Sequence, residues 1–407
     1  MPALDGMRIL DMTQYEAGPS CTQALAWLGA DVVKVERPEG GDPGRNNLSG
    51  DPNQSEYFSY WNSNKRSITI NLKSPEGHEI LMNMIPKYDV FIENYAPGVA
   101  DKLKLDYETL KAVHPGIIYA SVKGFGDSGP YSHYKCYDMV SQAASGAISV
   151  TGEPDGPPIR PGLTIGDSGT GMQLALGITA AYVEKQRTGL GQRIDISMHE
   201  AMTYYMRTAI SMGGTWNEEP APRIGNSLNA VINMFPCKPF GPNDYVYIMA
   251  ATDLMWVDLC HVIERPDLLE DPRYVDRLAR MDNKDSLVEE ITKWTREHTK
   301  QEAMKIVGDA GVPASAVFDT LELYNDPHLN ARGFVQTIDH DVFGEKKMLG
   351  APIRMSSGSV KLKAAPSLGR HTDEVLAQDL DLDEEKIKGL REAGVLGTHP
   401  MPTPSAP

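Results

Sequence analysis

The chain has 407 residues, a net charge of -16, 41% hydrophobic and 23% charged residues. That is too long for one ordinary core and globular in composition, so two domains are expected. The acidic balance excludes broad binding to a nucleic-acid backbone, which needs clustered Lys and Arg, but not a local basic pocket.

The elements alternate from the start. "MRILDM" (7–12) reads as a buried strand, "TQYEAGPSCTQALAWLGA" as a loop and helix, "DVVKVE" (31–36) and "SITINL" (67–72) as strands. "SPEGHEILMNMIPKY" is a helix with Ser74 as N-cap and Pro75 in its first turn. "DVFIEN" (89–94) is a strand, "DYETLKAVHP" a helix and "GIIYASVKGFG" (116–126) a strand with a glycine exit. This alternation implies a parallel doubly wound sheet. A looser Gly/Pro-rich stretch follows. Then comes a long helix, "GTGMQLALGITAAYVEKQRT", ended by Gly189 and Gly191, the strand "QRIDISM" and the helix "HEAMTYYMRTAISMG".

The proline-rich "NEEPAPRIGN" marks a change of unit. The expected organisation is a large domain over 1–216, a linker at 217–225 and a small α+β domain at 226–325. The chain then returns to the large domain over 326–395 and ends in a tail at 396–407.

The motifs exclude more than they assign. No GxGxxG follows the first strand and no GxxxxGK[ST] occurs, so NAD, FAD and Walker-type ATP sites are not expected. There is no GxSxG elbow and no HExxH. Cys21, Cys136, Cys237 and Cys260 are dispersed, which points to buried reduced thiols and not to a metal site or disulfide framework. The N-terminus shows no signal-peptide pattern and no apolar run spans a bilayer, so a cytoplasmic enzyme is expected.

One acid stands out. Asp167 sits among Gly166, Ser168, Gly169, Thr170 and Gly171 just before an apolar helix. Small neighbours let a bulky ligand approach closely, and a carboxylate there could serve as nucleophile or base. It could equally cap the helix, since Asp is among the preferred N-cap residues. Lys34, Arg37, Lys73, Lys102, Lys123 and Lys135 form a basic set. Arg37 and Lys73 follow strands at the carboxyl end, where open α/β sheets bind ligands. Taken singly, each lysine reads as solvated surface charge.

"LDGMRILDMTQYEAGPSCTQALAWLGADVVKVERPEGGDPGR", "NSNKRSITINLKSPEG", "DVFIENYAPGVADKL", "GLTIGDSGTGMQLALGITAA", "RTGLGQRIDISMHEAM" and "PSLGRHTDEVL" closely resemble, in order along the chain, the family III CoA-transferases and related 2-methylacyl-CoA racemases. The resemblance implies a Rossmann-like large domain built from both chain ends, a small α+β domain and an interlocked homodimer. It implies a coenzyme A thioester and a carboxylic acid as substrates, with no metal, NAD or FAD, and no nucleic-acid or membrane partner. Asp167 matches the family's catalytic aspartate, which forms an aspartyl anhydride and then an aspartyl-CoA thioester. Arg37, Lys73 and Lys102 match residues near the adenosine and phosphates. Asn94, Tyr95 and Ala96 match a stretch lining adenine and pantetheine. Lys135 and Tyr137 match the thioester end, and Glu16 and Ala17 the loop beside it. Glu16 stands where the oxalate-specific enzymes have glutamine, and a second carboxylate there would repel a small dianion unless protonated or paired. An acceptor other than oxalate is therefore expected. Two alternatives are kept. A 2-methylacyl-CoA racemase is disfavoured because Tyr137, and not histidine, precedes Asp138. A non-catalytic CoA-binding subunit of a hetero-oligomer is disfavoured because Asp167 is present.

Overall fold

The computed structural model describes residues 1–47, 55–214, 216 and 218–397. The expected tail lies, from residue 398 on, outside the described residues, as does Asn217 of the expected linker.

Two compact units emerge. The first comprises Met1–Ala147, Arg160–Ile210 and the chain from Asn330 on; the second comprises Ile148–Ile159 and Ser211–Leu329. The first unit is organised by a six-stranded sheet of β1 (Arg8–Asp11), β2 (Asp31–Glu36), β3 (Arg66–Thr69), β4 (Val90–Glu93), β5 (Ile118–Lys123) and β6 (Arg193–Ser197), in spatial order 3-2-1-4-5-6. Every pairing is parallel, with Leu10 beside Val33 on one side and Phe91 on the other. All six strands read from the sequence are present.

Alternate side chains on these strands feed opposite faces. Ile9, Val32, Val90 and Ile118 pack on one face with Leu25, Leu174 and Ile178. Those three lie on α1 (Ala17–Trp27) and α7 (Ile165–Thr188). Leu10, Val33, Ile68 and Phe91 pack on the other with Val375, Leu376 and Ile387, from the late helices Thr372–Leu380 and Glu384–Glu392. The six strands all fall within residues 8–197, but the late helices complete the core on one face of the sheet, so the first half of the chain alone leaves that face uncovered.

Between these lie α2 (Glu56–Asn62), α3 (Pro75–Met84), α4 (Val99–Lys102), α5 (Tyr107–Val113) and α6 (Asp138–Ala144). Ser74 caps α3 as expected, accepting from the Gly77 N–H at 3.0 Å. Gly189 closes α7 with a φ of 75°, a left-handed conformation open to glycine. The helix expected over 199–213 divides at Met206 into α8 (Met198–Tyr205) and α9 (Arg207–Met212).

The second unit carries a three-stranded antiparallel sheet of β7 (Ile232–Pro236), β8 (Tyr245–Met249) and β9 (Ala314–Ala316). Its core includes Phe235, Val246, Trp256, Leu259, Leu287 and Val307. Arg223 donates to the carbonyls of Ser149, Glu153 and Gly156, so the proline-rich stretch is held to the Ile148–Ile159 segment within that unit. Among the described residues, no helix is long and apolar enough to cross a membrane.

Candidate active site

The carboxyl ends of the strands carry two cavities, on the two sides of β1. There the strand order reverses, which is where open α/β sheets take ligands. The larger, about 570 Å³, is lined by the loops after β1, β2 and β3, including Arg37, Asn71 and Lys73, together with Tyr95. The smaller, about 290 Å³, is lined by Tyr15, Ala17, Asn94, Ala96, Lys135, Tyr137 and Asp167 among others. Gln14 and Tyr95 line both cavities.

The loop after β1 is fixed by hydrogen bonds. Asn94 grips Gln14 at two points, accepting from its N–H and donating to its carbonyl, both at 2.8 Å. Asp42 accepts the Tyr15 N–H at 3.0 Å, although Tyr15 has a φ of 62°. The Tyr15 ring meets Tyr137 edge-on at 5.9 Å. On the far side, Lys123 binds both oxygens of Glu93 and donates to the Tyr95 carbonyl at 2.9 Å.

Asp167 occupies the third helical position of α7 and is not its N-cap; that place belongs to Thr164, whose side chain caps nothing. The capping is done from another helix. Asp138, at the start of α6, accepts the Gly166 N–H at 2.9 Å and the Asp167 N–H at 3.4 Å through one oxygen. Its other oxygen accepts from Gln142 Nε2 at 2.6 Å. The Thr164 hydroxyl turns instead to Glu16, donating to it at 2.5 Å, and the Tyr57 hydroxyl reaches the other Glu16 oxygen at 3.5 Å.

Three carboxyl groups therefore gather around the first turn of α7, and among the described residues none has a salt-bridge partner. Burial, then the charges of Glu16 and Asp138, push Asp167 up to about 8. Burial likewise pushes Glu16 up to about 7, with Asp138 adding to the rise and the Thr164 and Tyr57 hydroxyls opposing it. A cleft residue shifted this far by desolvation and like charge is a mark of a functional site.

The glycines around Asp167 serve a different purpose from the one expected. The sequence suggests room for ligand there, but protein fills it. A Cβ on Gly166 would come within 2.1 Å of Ser141 Oγ, and one on Gly171 within 2.1 Å of Ser20 Oγ and 2.5 Å of the Ala17 carbonyl. They bring α7 close enough to α6 and α1 to place Asp167 at the cavity wall.

The expected residues separate into groups. Ala17, Asn94, Tyr95, Ala96, Lys135, Tyr137 and Asp167 come together at the smaller cavity, and Arg37 and Lys73 at the larger. Glu16 is buried, lines neither cavity and meets Asp167 electrostatically. Lys102 ends α4 exposed and lines neither cavity, although the next residue, Leu103, lines the larger. Of the wider basic set, Lys34 is fully buried against Asp42 at 2.9 Å and cannot meet a ligand. Cys21, Cys237 and Cys260 are buried free thiols as expected, but Cys136 is only half-buried and lines the smaller cavity. Sequence reasoning missed the roles of Gln14, Tyr57, Asp138 and Thr164. Thr164 offers one signal, a hydroxyl residue three positions before the acid, which is capping spacing.

The architecture agrees with the comparisons. The model for CoA-transferase family III matches residues 4–372. Relatives include a formyl-CoA:oxalate CoA-transferase of Streptomyces coelicolor, 39% identical over 97% of this chain and 99% of the relative. Another, of the same name, from Rhodopseudomonas palustris, is 39% identical over 97% of each chain. The crystal structure of a CAIB/BAIF family protein from Brucella suis covers 93% of this chain and 99% of its own at a TM-score of 0.82 and 31% identity. The chain belongs to CoA-transferase family III.

The expectation that oxalate is not the acceptor finds no support in these relatives. Its physical basis also weakens. Glu16 is not a bare carboxylate in the cavity: it is buried, takes two hydroxyl donors and is raised to about 7, so it carries a proton for much of the time near neutral pH.

Proposed function

We propose that the chain transfers CoA from an acyl-CoA thioester to a carboxylic acid through covalent intermediates on Asp167. The observation that carries this reading is the Asp167 carboxyl at the wall of a small cavity that shares Gln14 and Tyr95 with a larger one bearing Arg37 and Lys73. The larger cavity suits a phosphorylated nucleotide end and the smaller a thioester end. Asp167 attacks the thioester carbonyl and CoA thiolate leaves, giving an aspartyl acyl anhydride. The thiolate attacks the aspartyl carbonyl, releasing the donor's acid and leaving an aspartyl-CoA thioester. The acceptor carboxylate attacks that carbonyl and expels the thiolate, forming a second anhydride. The thiolate then takes the acceptor's acyl carbon and frees Asp167. The raised Asp167 makes a stronger nucleophile once ionised, and covalent catalysis divides one exchange into easier steps.

The relatives' names make formyl-CoA and oxalate the first pair to assay. The same reading places the enzyme in the cytoplasm as an interlocked homodimer, which light scattering checks through the mass in solution. The test of the chemistry is incubation with acyl-CoA donors, reduction with borohydride and peptide mass spectrometry. Reduction of Asp167 to the alcohol, only when thioester is present, supports the transferase. An untouched Asp167 with deuterium entering C2 of a 2-methylacyl-CoA from heavy water would replace it with racemase chemistry. Neither signal, with CoA still bound, would indicate a non-catalytic subunit.

A further inference from the structure

An acid in the first turn of a helix normally gains from the open N–H groups and the positive end of the dipole, which favour its anion. Asp167 occupies such a place and is nevertheless shifted the other way. Burial is the largest cause, and the geometry shows why the helix end does not offset it. The N–H groups of Gly166 and Asp167 are already taken by Asp138 Oδ1, and the Thr164 hydroxyl is taken by Glu16. Asp138 is itself buried and locked: Gln142 Nε2 holds its second oxygen at 2.6 Å and the Leu163 carbonyl at 2.7 Å, and Ser141 Oγ donates to the Asp138 carbonyl at 2.7 Å. Gly166 permits this approach, since a Cβ there would lie 2.9 Å from Asp138 Oδ1.

We propose that Asp138 is a positioning residue that occupies the helix's open N–H groups so that the Asp167 carboxylate stays unbonded at the cavity wall. The proposal rests on the transferase reading for its purpose, because a nucleophile held by two backbone N–H groups would be less basic and turned away from the thioester. The other groups facing Asp167 are Glu16 from the α1 side, Tyr57 from α2 and Cys136 before α6, with Lys123, Lys135 and Tyr137 lining the same cavity. None of these reaches the two N–H groups; the Thr164 carbonyl shares the Asp167 N–H at 3.2 Å, and Asp138 is the one side chain that reaches both among the described residues.

The test compares the full-length protein with Asp138→Asn and Asp138→Ala. Ionisation of Asp167 in the free protein is followed by carbodiimide labelling against pH with peptide mass spectrometry. Acylation is followed separately by borohydride trapping. Both variants should lower the pH midpoint of Asp167, through loss of a like charge. Asp138→Asn, which keeps an oxygen for the N–H groups, should retain more of the high-pH acylation rate than Asp138→Ala, which frees them to bind Asp167. An unchanged midpoint in Asp138→Asn, or equal acylation by the two variants, overturns the proposal. If Asp138→Ala does not fold, the labelling midpoint of Asp138→Asn decides alone. A wild-type protein that never acylates Asp167 would instead overturn the transferase reading, while the labelling midpoint still decides what Asp138 does to Asp167.

Discussion

Two groups of buried carboxylates lie within the first unit, and they are built in opposite ways. Beneath the strand ends, each acid has a cation: Asp11 with Lys65 at 3.1 Å, Glu36 with Arg45 at 2.6 Å, Asp42 with Lys34 at 2.9 Å and Glu93 with Lys123 at 2.7 Å. Around the first turn of α7, Glu16, Asp138 and Asp167 meet hydroxyls, amides and one another. Burial raises Asp11, but Lys65, Lys34 and two hydroxyls outweigh it and hold the carboxyl well below the usual range. Burial raises Asp167 too, and its charged neighbours only add to the rise. Burial is common to both; for Asp11 and Asp167 the sign of the neighbours decides the direction, whereas at Glu93 burial outweighs even Lys123 and the carboxyl is raised. The paired set holds up the loops, and the unpaired set is available for chemistry.

Asp167→Asn is the largest way to break this contrast. It should lower turnover by about 10^6-fold, the scale seen when a covalent nucleophile is lost, and abolish borohydride trapping. It should also stabilise the protein at high pH. The folded value near 8 lies above the ordinary carboxylate value near 4, so the folded state holds a proton that the unfolded state releases. That contribution is complete below about pH 4 and is lost as pH rises through 8. The melting temperature of Asp167→Asn should therefore exceed wild type by more at pH 9 than at pH 5. A constant difference would remove the buried-acid account. For the same reason the wild-type acylation rate should climb towards pH 8 and level above it.

Lys65→Met attacks the paired set. It leaves Asp11 buried without its nearest cation and should cost about 3–5 kcal/mol in urea unfolding. The Asp11 value is depressed, so its contribution is present above pH 4 and lost as pH falls through the lower folded value. The labelling midpoint of Asp167 should stay in place in whatever fraction remains folded, because Lys65 does not figure among the groups that shift it. A moved midpoint would mean that the two sets are one network.

Much of this was legible in the sequence. The strands announced themselves through short apolar runs between helix caps, and parallel pairing followed from their alternation with helices. Asp167 was legible because a single acid among glycines before an apolar helix is conspicuous. What the sequence hid was its company. Asp138 lies 29 residues earlier and Glu16 lies 148 before Thr164, so no window holds the three acids together. The purpose of the glycines was hidden for the same reason, since Ser141 and Ser20 occupy the space they leave. Asn94 was expected to touch ligand, but its amide also clamps Gln14, a pairing 80 residues apart.

Glu16→Gln is a subtler test of the unpaired set. It removes one like charge while the amide can still accept from Thr164, so the Asp167 midpoint should fall by less than a full loss of fold contacts would cause. The acceptor profile should shift towards acids that the partly ionised Glu16 disfavours, small dianions first. An unchanged profile would confine Glu16 to holding Thr164 in place.

Arg37→Ala and Lys73→Ala should have the smallest effects. Both residues are exposed at the rim of the larger cavity, and Arg37 Nε donates to the Gly41 carbonyl at 2.9 Å, leaving the rest of its guanidinium to meet a ligand. Exposed cations gain little from a single charge partner, so each loss should raise the donor's KM by about 2- to 5-fold. The kcat should hold, because contacts far from the reacting carbonyl bind ground and transition states alike. Salt provides the decisive control. Raising ionic strength to 1 M shortens the screening length to about 3 Å and should erase most of the difference between variants and wild type. A KM difference that survives high salt would show that these side chains shape the loop after β2 or β3, as Lys34 does from beneath, and the contrast between paired scaffold and open site would then have to be drawn one layer further out.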